Sequence, residues 1–292
     1  MAKLSTDWTV LKMLEWATVY FEQKGVRNPR FSIEWLLAHV LQRKRLDLYL
    51  LFDRPLTSDE LNQVRPMVKR RALHEPLQYI TGETNFFGYP IQVQPGVLIP
   101  RPETEQLVEL VLNNESFKKD ASVLDIGTGS GCIPIALKKQ RPEWNISAVD
   151  ISEDALVAAK SNAIKNEVEI EYSLEDLFNP SEALHDRTFD IIVSNPPYVL
   201  ETEFDSLDIE VKKFEPELAL FTSTTEKIFG AIQILSSKIL SSNGLLFLEI
   251  NERFGRSTAQ IFERENWNVT LIKDYSKKDR FILAKKAKKV KF

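Results

Sequence analysis

A short apolar run leading straight into three alternating glycines constrains this chain most. Val123-Leu124-Asp125-Ile126 precedes Gly127-Thr128-Gly129-Ser130-Gly131. A brief run of Val, Leu and Ile without strict polar alternation reads as a strand buried on both faces. The glycines allow a tight turn, positive φ and close approach of backbone to a ligand. Around this strand the pattern alternates. Helices are predicted at 105–112, 132–139, 152 to about 166, 226–240 and 254–265. Strands are predicted at 123–126, 146–149, 169–172, 189–193 and 244–250, with 269–273 and 281–284 pairing as a final hairpin. Strands that alternate with helices give an α/β fold with an open, mostly parallel sheet.

The first 75 residues read instead as helices. Ser5, Thr6 and Asp7 are candidate caps for a helix carrying Val10, Leu11, Leu14, Ala17 and Phe21 at helical spacing. Either Asn28-Pro29 or Ser32 opens a second helix. Thr57 and Glu60 have the spacing of a capping box. Pro66 falls inside the helix that follows and is expected to kink or interrupt it. Between 76 and 101 four prolines, with Pro102 just beyond, and strand-like pieces, Gln78-Tyr79-Ile80 and Tyr89–Val93, predict a connecting β-hairpin. The expected division is a helical domain at 1–75, a hairpin linker at 76–101 and a catalytic domain at 102–292.

The glycine loop departs from the dinucleotide fingerprint, which needs glycine where Cys132 stands. Asp125 is a poor neighbour for a pyrophosphate and a good one for a cationic amino-acid group. Asp150 ends the next strand, where a carboxylate suits ribose hydroxyls. Asp176 and Leu177 follow the third strand, placed to accept from an adenine amino group and to cover its ring. A ribose, an ammonium and a sulfonium without phosphate describe S-adenosylmethionine. Cys132 is read as a packing residue. The fourth strand delivers Ser194-Asn195-Pro196-Pro197-Tyr198 at its carboxyl end. Two prolines remove donors and fix φ, which leaves the Asn195 side-chain oxygen and the Pro196 carbonyl as rigid acceptors. Tyr198 is expected to form a flat wall beside them. Such acceptors suit a conjugated NH2 group, whose delocalised lone pair makes it a weak nucleophile.

Composition narrows the class further. The 292 residues carry 38 Lys+Arg and 42 Asp+Glu, a net −4, so no overall basic field favours nucleic acid. The charge is segmented, because residues 1–75 hold 13 basic and 9 acidic side chains. Basic clusters are confined to Arg65–Arg71 and the tail Lys285–Phe292. The Arg65–Arg71 face is a candidate dock for an acidic protein surface. One cysteine excludes an internal disulfide, and with three scattered histidines a zinc site is not expected. Without an apolar run near the ~20 residues of a membrane span, or a signal-peptide core, the protein is expected to be cytoplasmic.

These residues resemble the PrmC/HemK family, the N5-glutamine methyltransferases of peptide chain release factors. The resemblance rests on Val97–Val108, Gly127–Gly131, Asp150, Asn195–Tyr198 and Phe214–Ala219, in that order and spacing. It implies a Rossmann-like methyltransferase domain, with Gly127–Gly131, Asp150, Leu177 and Asn195 binding S-adenosylmethionine. It also implies that Asn195, Pro196, Pro197 and Tyr198 hold the glutamine of a Gly-Gly-Gln loop in a class-1 release factor. The helical domain would help grip that factor. Arg101 and Glu105 are read either as rim residues or as structural charges. The chain departs from the family in lacking glycine across 221–226, in Asn251 where glycine is expected, and in Leu177 where tryptophan is common. The rival reading is an amino methyltransferase acting on nucleic-acid bases. Stable nucleic-acid or membrane binding is not expected.

Overall fold

A computed structural model describes residues 8–287. It divides into two compact units. The first runs to Gly82 and adds Asp208–Phe214; the second takes Glu83–Leu207 and resumes at Glu215.

The first unit contains α1 (Val10–Gln23), α2 (Pro29–Leu41), a 3-10 turn (Arg45–Leu50), α3 (Ser58–Ala72) and α4 (Leu77–Thr81). Val10, Met13, Leu14, Ala17 and Phe21 bury one stripe of α1 against α2 and α3. Its cap is Thr9, whose hydroxyl accepts from the Lys12 N–H; the expected caps at 5–7 lie outside the described residues. Asn28 and Pro29 open α2, as one of the two expected starts. The Thr57–Glu60 capping box forms in both directions.

One expectation fails here, and one of two alternatives is excluded. Gln78-Tyr79-Ile80 is helical, not a strand. Pro76 starts the turn, Gly82 ends it at φ 77°, and Leu77 and Ile80 both bury at helical spacing. Burial at i and i+3 outweighs the local strand propensity. Nor does Pro66 interrupt α3, which continues as helix through it. Pro66 and Asn62, the residue whose carbonyl it leaves without the usual helical partner, are both exposed.

The second unit follows in chain order as β1 (Glu83–Phe86), β2 (Tyr89–Gln92), α5 (Pro102–Leu112), β3 (Ser122–Ile126), α6 (Cys132–Gln140), β4 (Asn145–Asp150), α7 (Glu153–Lys165), β5 (Glu171–Leu174), α8 (Glu182–His185), β6 (Phe189–Ser194) and β7 (Val199–Leu200). The chain then contributes α9 (Ile209–Phe214) to the first unit. It returns as α10 (Glu217–Leu220), β8 (Phe221–Thr222), α11 (Thr225–Ile239), β9 (Leu240–Glu249), α12 (Gly255–Glu263), β10 (Trp267–Lys273) and β11 (Asp279–Lys286).

Seven strands form one sheet in the order β10-β11-β9-β6-β3-β4-β5. The five strands from β9 to β5 are parallel, and β11 pairs antiparallel with both β9 and β10. This is the expected Rossmann-like α/β sheet with its closing hairpin. The carboxyl ends of β3, β4, β5 and β6 therefore lie along one edge, which is where open α/β sheets bind ligands. Ile228, Phe229, Ile232, Leu235 and Ile239 of α11 pack on one face of the sheet with Phe189, Ile192, Leu246 and Leu248.

The connecting hairpin is shorter than expected, β1 with β2 alone, and belongs to the second unit. Its two-residue turn puts Phe87 at φ 53° and Gly88 at φ 85°, the signs that a tight hairpin requires. Of the lysine-rich tail, Lys285 and Lys286 end β11, and residues 288–292 lie outside the described residues.

Candidate active site

The carboxyl ends of the parallel strands surround a cavity of about 220 Å³. The glycine loop forms one wall. Gly127, Gly129 and Gly131 take φ of 73°, 54° and 78°. Gly131 is tightly enclosed, since a Cβ there would sit 3.0 Å from the Ala159 Cβ. The loop is fixed from behind by Asn162 of α7, fully buried. Its Nδ2 donates to the Ser130 carbonyl at 2.9 Å and to the Gln92 carbonyl at 3.0 Å, while its Oδ1 accepts from the Gln92 N–H at 2.7 Å.

Gly127, Thr128, Gly129, Ser130, Asp150, Asp176, Leu177, Asn195, Pro196 and Pro197 all line this cavity. Three expected site residues do not line it: Asp125, Gly131 and Tyr198. Asp125 is fully buried at the end of β3, and both carboxylate oxygens lack a hydrogen-bond partner among the described residues. The buried Thr128 hydroxyl is likewise unpartnered. Burial pushes the Asp125 carboxyl up to about 7, helped by the charge of Asp150 and opposed by the Thr128 hydroxyl. An uncompensated buried carboxylate next to the cavity-lining glycine loop fits a ligand with a cationic head, whose charge it would balance.

Asp150 accepts from the Gly129 N–H at 2.8 Å through Oδ2 and from the Ser152 N–H at 3.0 Å through Oδ1. Burial raises its carboxyl while those two backbone donors lower it. Each oxygen keeps a lone pair for a ligand hydroxyl. Asp176 accepts from the Phe178 N–H at 2.9 Å. Phe178 itself joins Leu177 on the cavity wall, so an aromatic ring is present one position after the leucine. Cys132 is buried and its thiol is pushed up to about 12 by burial, which keeps it protonated and inert.

Asn195 stands at the carboxyl end of β6, next to Ser194, whose hydroxyl donates to the Ile126 carbonyl and ties β6 to β3. The Asn195 Nδ2 donates to Thr104 Oγ1 at 3.0 Å. Thr104 donates in turn to Glu249 Oε2 at 2.7 Å, and the Tyr198 hydroxyl donates to Glu249 Oε1 at 2.9 Å. The Tyr198 hydroxyl is engaged by the buried Glu249 carboxylate, and Tyr198 is not among the residues lining the cavity. Asn251, which stands where glycine was expected, donates to the Tyr198 carbonyl at 3.3 Å and to Glu203 at 2.9 Å, and so steadies the same loop.

Arg101 lines the cavity and grips the buried Glu215 with one guanidinium nitrogen at 2.7 and 2.8 Å. The following Pro216, Leu218 and Ala219 also reach the cavity. Glu105 is structural: its carboxylate accepts from the Phe87 N–H at 2.7 Å and holds the hairpin turn. Thr104 and Glu249 were missed from sequence. A usable signal existed for Glu249, which, like Asp125 and Asp150, is a carboxylate near the carboxyl end of a buried strand.

The PrmC N-terminal domain family matches residues 12–82, and the methyltransferase small domain family matches residues 102–211. The chain is 41% identical over 268 residues to a release factor glutamine methyltransferase of Flavobacterium psychrophilum, covering 90% of this chain and 92% of that one. This chain belongs to the release factor glutamine methyltransferase family. A relative of the same name from Chlorobaculum tepidum is 37% identical over 94% of this chain and 96% of its own. Another from Rhodopirellula baltica is 36% identical over 98% of this chain and 100% of its own. These relatives support a protein amide as the acceptor, and not the nucleic-acid base of the rival reading. Among the described residues no helix is long and apolar enough to cross a membrane, and no cluster of His, Cys, Asp and Glu is arranged to hold a metal.

Proposed function

We propose that this enzyme methylates the side-chain amide nitrogen of the glutamine in the Gly-Gly-Gln motif of class-1 peptide chain release factors. The observation that carries the reading is the sharing of one cavity by the glycine loop and Asn195-Pro196. A cofactor cradle and a pair of amide acceptors face the same space.

S-adenosylmethionine, when bound, supplies an activated methyl group on a sulfonium. Gly127 to Gly131 and Asp150 hold its amino-acid and ribose parts, Asp125 balances its ammonium, and Asp176 and Leu177 take the adenine. The substrate problem lies with the amide nitrogen, whose lone pair is delocalised into the carbonyl. Asn195 Oδ1 and the Pro196 carbonyl accept its two N–H bonds. They draw the nitrogen toward a pyramidal geometry and stabilise positive charge as it develops there. The charged nitrogen then releases a proton readily, so no strong base is needed. Pro197 stiffens the loop, and Tyr198 acts as a positioning residue through Glu249. The helical unit helps grip the factor.

Methyl-labelled cofactor and a class-1 release factor test this. Label should appear on the factor and vanish when the Gly-Gly-Gln glutamine is alanine. Asn195→Ala should lower kcat by roughly 10²–10³-fold, the usual loss of one positioned polar group. Cofactor affinity should change far less.

A further inference from the structure

We infer that Thr104 and Glu249 are positioning residues that fix the Asn195 amide with its oxygen turned to the reacting glutamine. The inference rests on the function proposed above and adds two residues, from α5 and β9, to the β6 site.

An asparagine side chain fits almost equally well in two orientations that exchange oxygen and nitrogen, so its neighbours must choose between them. Here the choice is made by counting hydrogens. Glu249 is fully buried and, as a carboxylate, can only accept. Two hydroxyls point at it, Thr104 at 2.7 Å and Tyr198 at 2.9 Å. A threonine hydroxyl has one hydrogen, and that of Thr104 is committed to Glu249. Its remaining lone pairs can only accept, and Asn195 Nδ2 donates to them at 3.0 Å. Flipping the amide would set Asn195 Oδ1 against an oxygen with no hydrogen to offer. Thr104 is itself 2% exposed, so water does not relieve that conflict. The oxygen of Asn195 is thus left as the acceptor on the cavity wall, the polarity that an incoming NH2 group needs.

The charge on Glu249 sets the direction of the whole relay. Burial pushes the Glu249 carboxyl up; the Thr104 and Tyr198 hydroxyls and the charge of Arg280 of β11, itself held by Asp274 and Glu252, oppose that rise and favour the carboxylate on which this relay depends. A neutral group at 249 able to donate to Thr104 would free the threonine hydrogen to point at Asn195, and both amide orientations would become satisfied.

Thr104→Val, Thr104→Ser and Glu249→Gln test this. Thr104→Val keeps the shape and removes the hydroxyl; kcat should fall about 10–100-fold, a fraction of the full loss of a positioned group. KM for the factor and cofactor affinity should stay within about threefold, the scale of a minor perturbation. Thr104→Ser should restore kcat, and Glu249→Gln should lower it like Thr104→Val. In the protein alone, the Asn195 side-chain amide protons, assigned by their loss in Asn195→Asp, should be protected from exchange. That protection should persist in Thr104→Ser and disappear in Thr104→Val. If Thr104→Val does not fold, Thr104→Ser and Glu249→Gln make the same comparison. Unchanged kcat in folded Thr104→Val or Glu249→Gln, a kcat loss matched by lost cofactor affinity, or unprotected Asn195 protons in the wild type would overturn the inference. A wild-type protein that labels no release factor would count against the function; the amide signal would still decide the relay.

Discussion

Asp125 shows how one side chain can carry both a stability cost and a binding role. Its carboxyl is raised to about 7 because burial removes water, a rise that the neighbouring Thr128 hydroxyl opposes only in part. A carboxyl whose folded pKa is raised stabilises the fold when protonated. That contribution is complete at pH below the unfolded value near 4 and is lost as pH rises through 7. The ligand-free protein should therefore melt at a lower temperature at pH 8 than at pH 6. Cofactor affinity should move oppositely, weakening by up to about tenfold per pH unit below 7 as the partner of the ammonium loses its charge. Calorimetric titration from pH 5.5 to 8 measures the affinity, and Asp125→Asn should flatten both profiles. A wild-type affinity constant over that range would remove Asp125 from the cofactor site. Asp125 and Asp150 were legible in sequence because each ends an apolar strand beside or after the glycine loop. Glu249 follows the same rule, but its meaning depends on Thr104, 145 residues away, and only the folded chain brings the two together.

Elements in this chain were legible wherever burial period and end signals agreed. The Thr57–Glu60 box, the Ser152 cap and the 3.6-residue stripe of α1 each specified a helix by two independent cues. Where the cues disagreed, tertiary burial decided. Gln78-Tyr79-Ile80 has strand-like side chains, yet Arg70 receives this segment as a helical turn, donating to the Tyr79 and Ile80 carbonyls at 3.1 and 3.4 Å. Pro66 is the sharper case. Proline in a helix interior costs about 3 kcal/mol relative to alanine, through a lost hydrogen bond and a ring clash. Thr57 and Glu60 cap the start of α3, Arg54 clamps Glu60 at 2.7 Å, and Leu61, Val64 and Val68 are buried along it. These contacts outweigh the penalty but do not abolish it. Pro66→Ala should therefore stabilise the protein by about 1–3 kcal/mol, part being offset by the extra freedom alanine gives the unfolded chain. Chemical denaturation of the pair measures it, and an unchanged or lower midpoint would mean that α3 needs the proline.

Across the whole molecule, net charge by segment proved a poor guide to which cations are available. The basic cluster 65–71 was expected to present a docking face, but the fold consumes half of it. Arg70 forms a two-nitrogen clamp on Glu75, with Nε at 2.7 Å. Arg71 is 3% exposed and donates to Ser32 Oγ at 3.1 Å, the Glu75 carbonyl at 2.9 Å and Glu210 at 2.7 Å. Only Arg65 and Lys69 remain without an ion-pair partner among the described residues, so a docking test confined to those two leaves the helical unit intact. The Glu210 contact also explains why this unit is built from two separate stretches of chain. Residues 208–214 lie 137 or more positions beyond Arg71, outside the reach of any local sequence pattern. A buried guanidinium whose carboxylate partner is removed is left uncompensated, which typically costs about 3–5 kcal/mol. Glu210 is partly exposed, so its removal should fall at or below the lower end of that range. Arg71→Ala should destabilise the protein more than Glu210→Ala, because it also abandons Ser32 and the Glu75 carbonyl. The double variant should lose less than the sum of the two. Denaturation of the four proteins gives the coupling, and hydrogen exchange at 208–214 should speed up in each variant. Exchange there that matches the wild type, with additive losses, would mean that the segment is held by its apolar contacts and not by this pair.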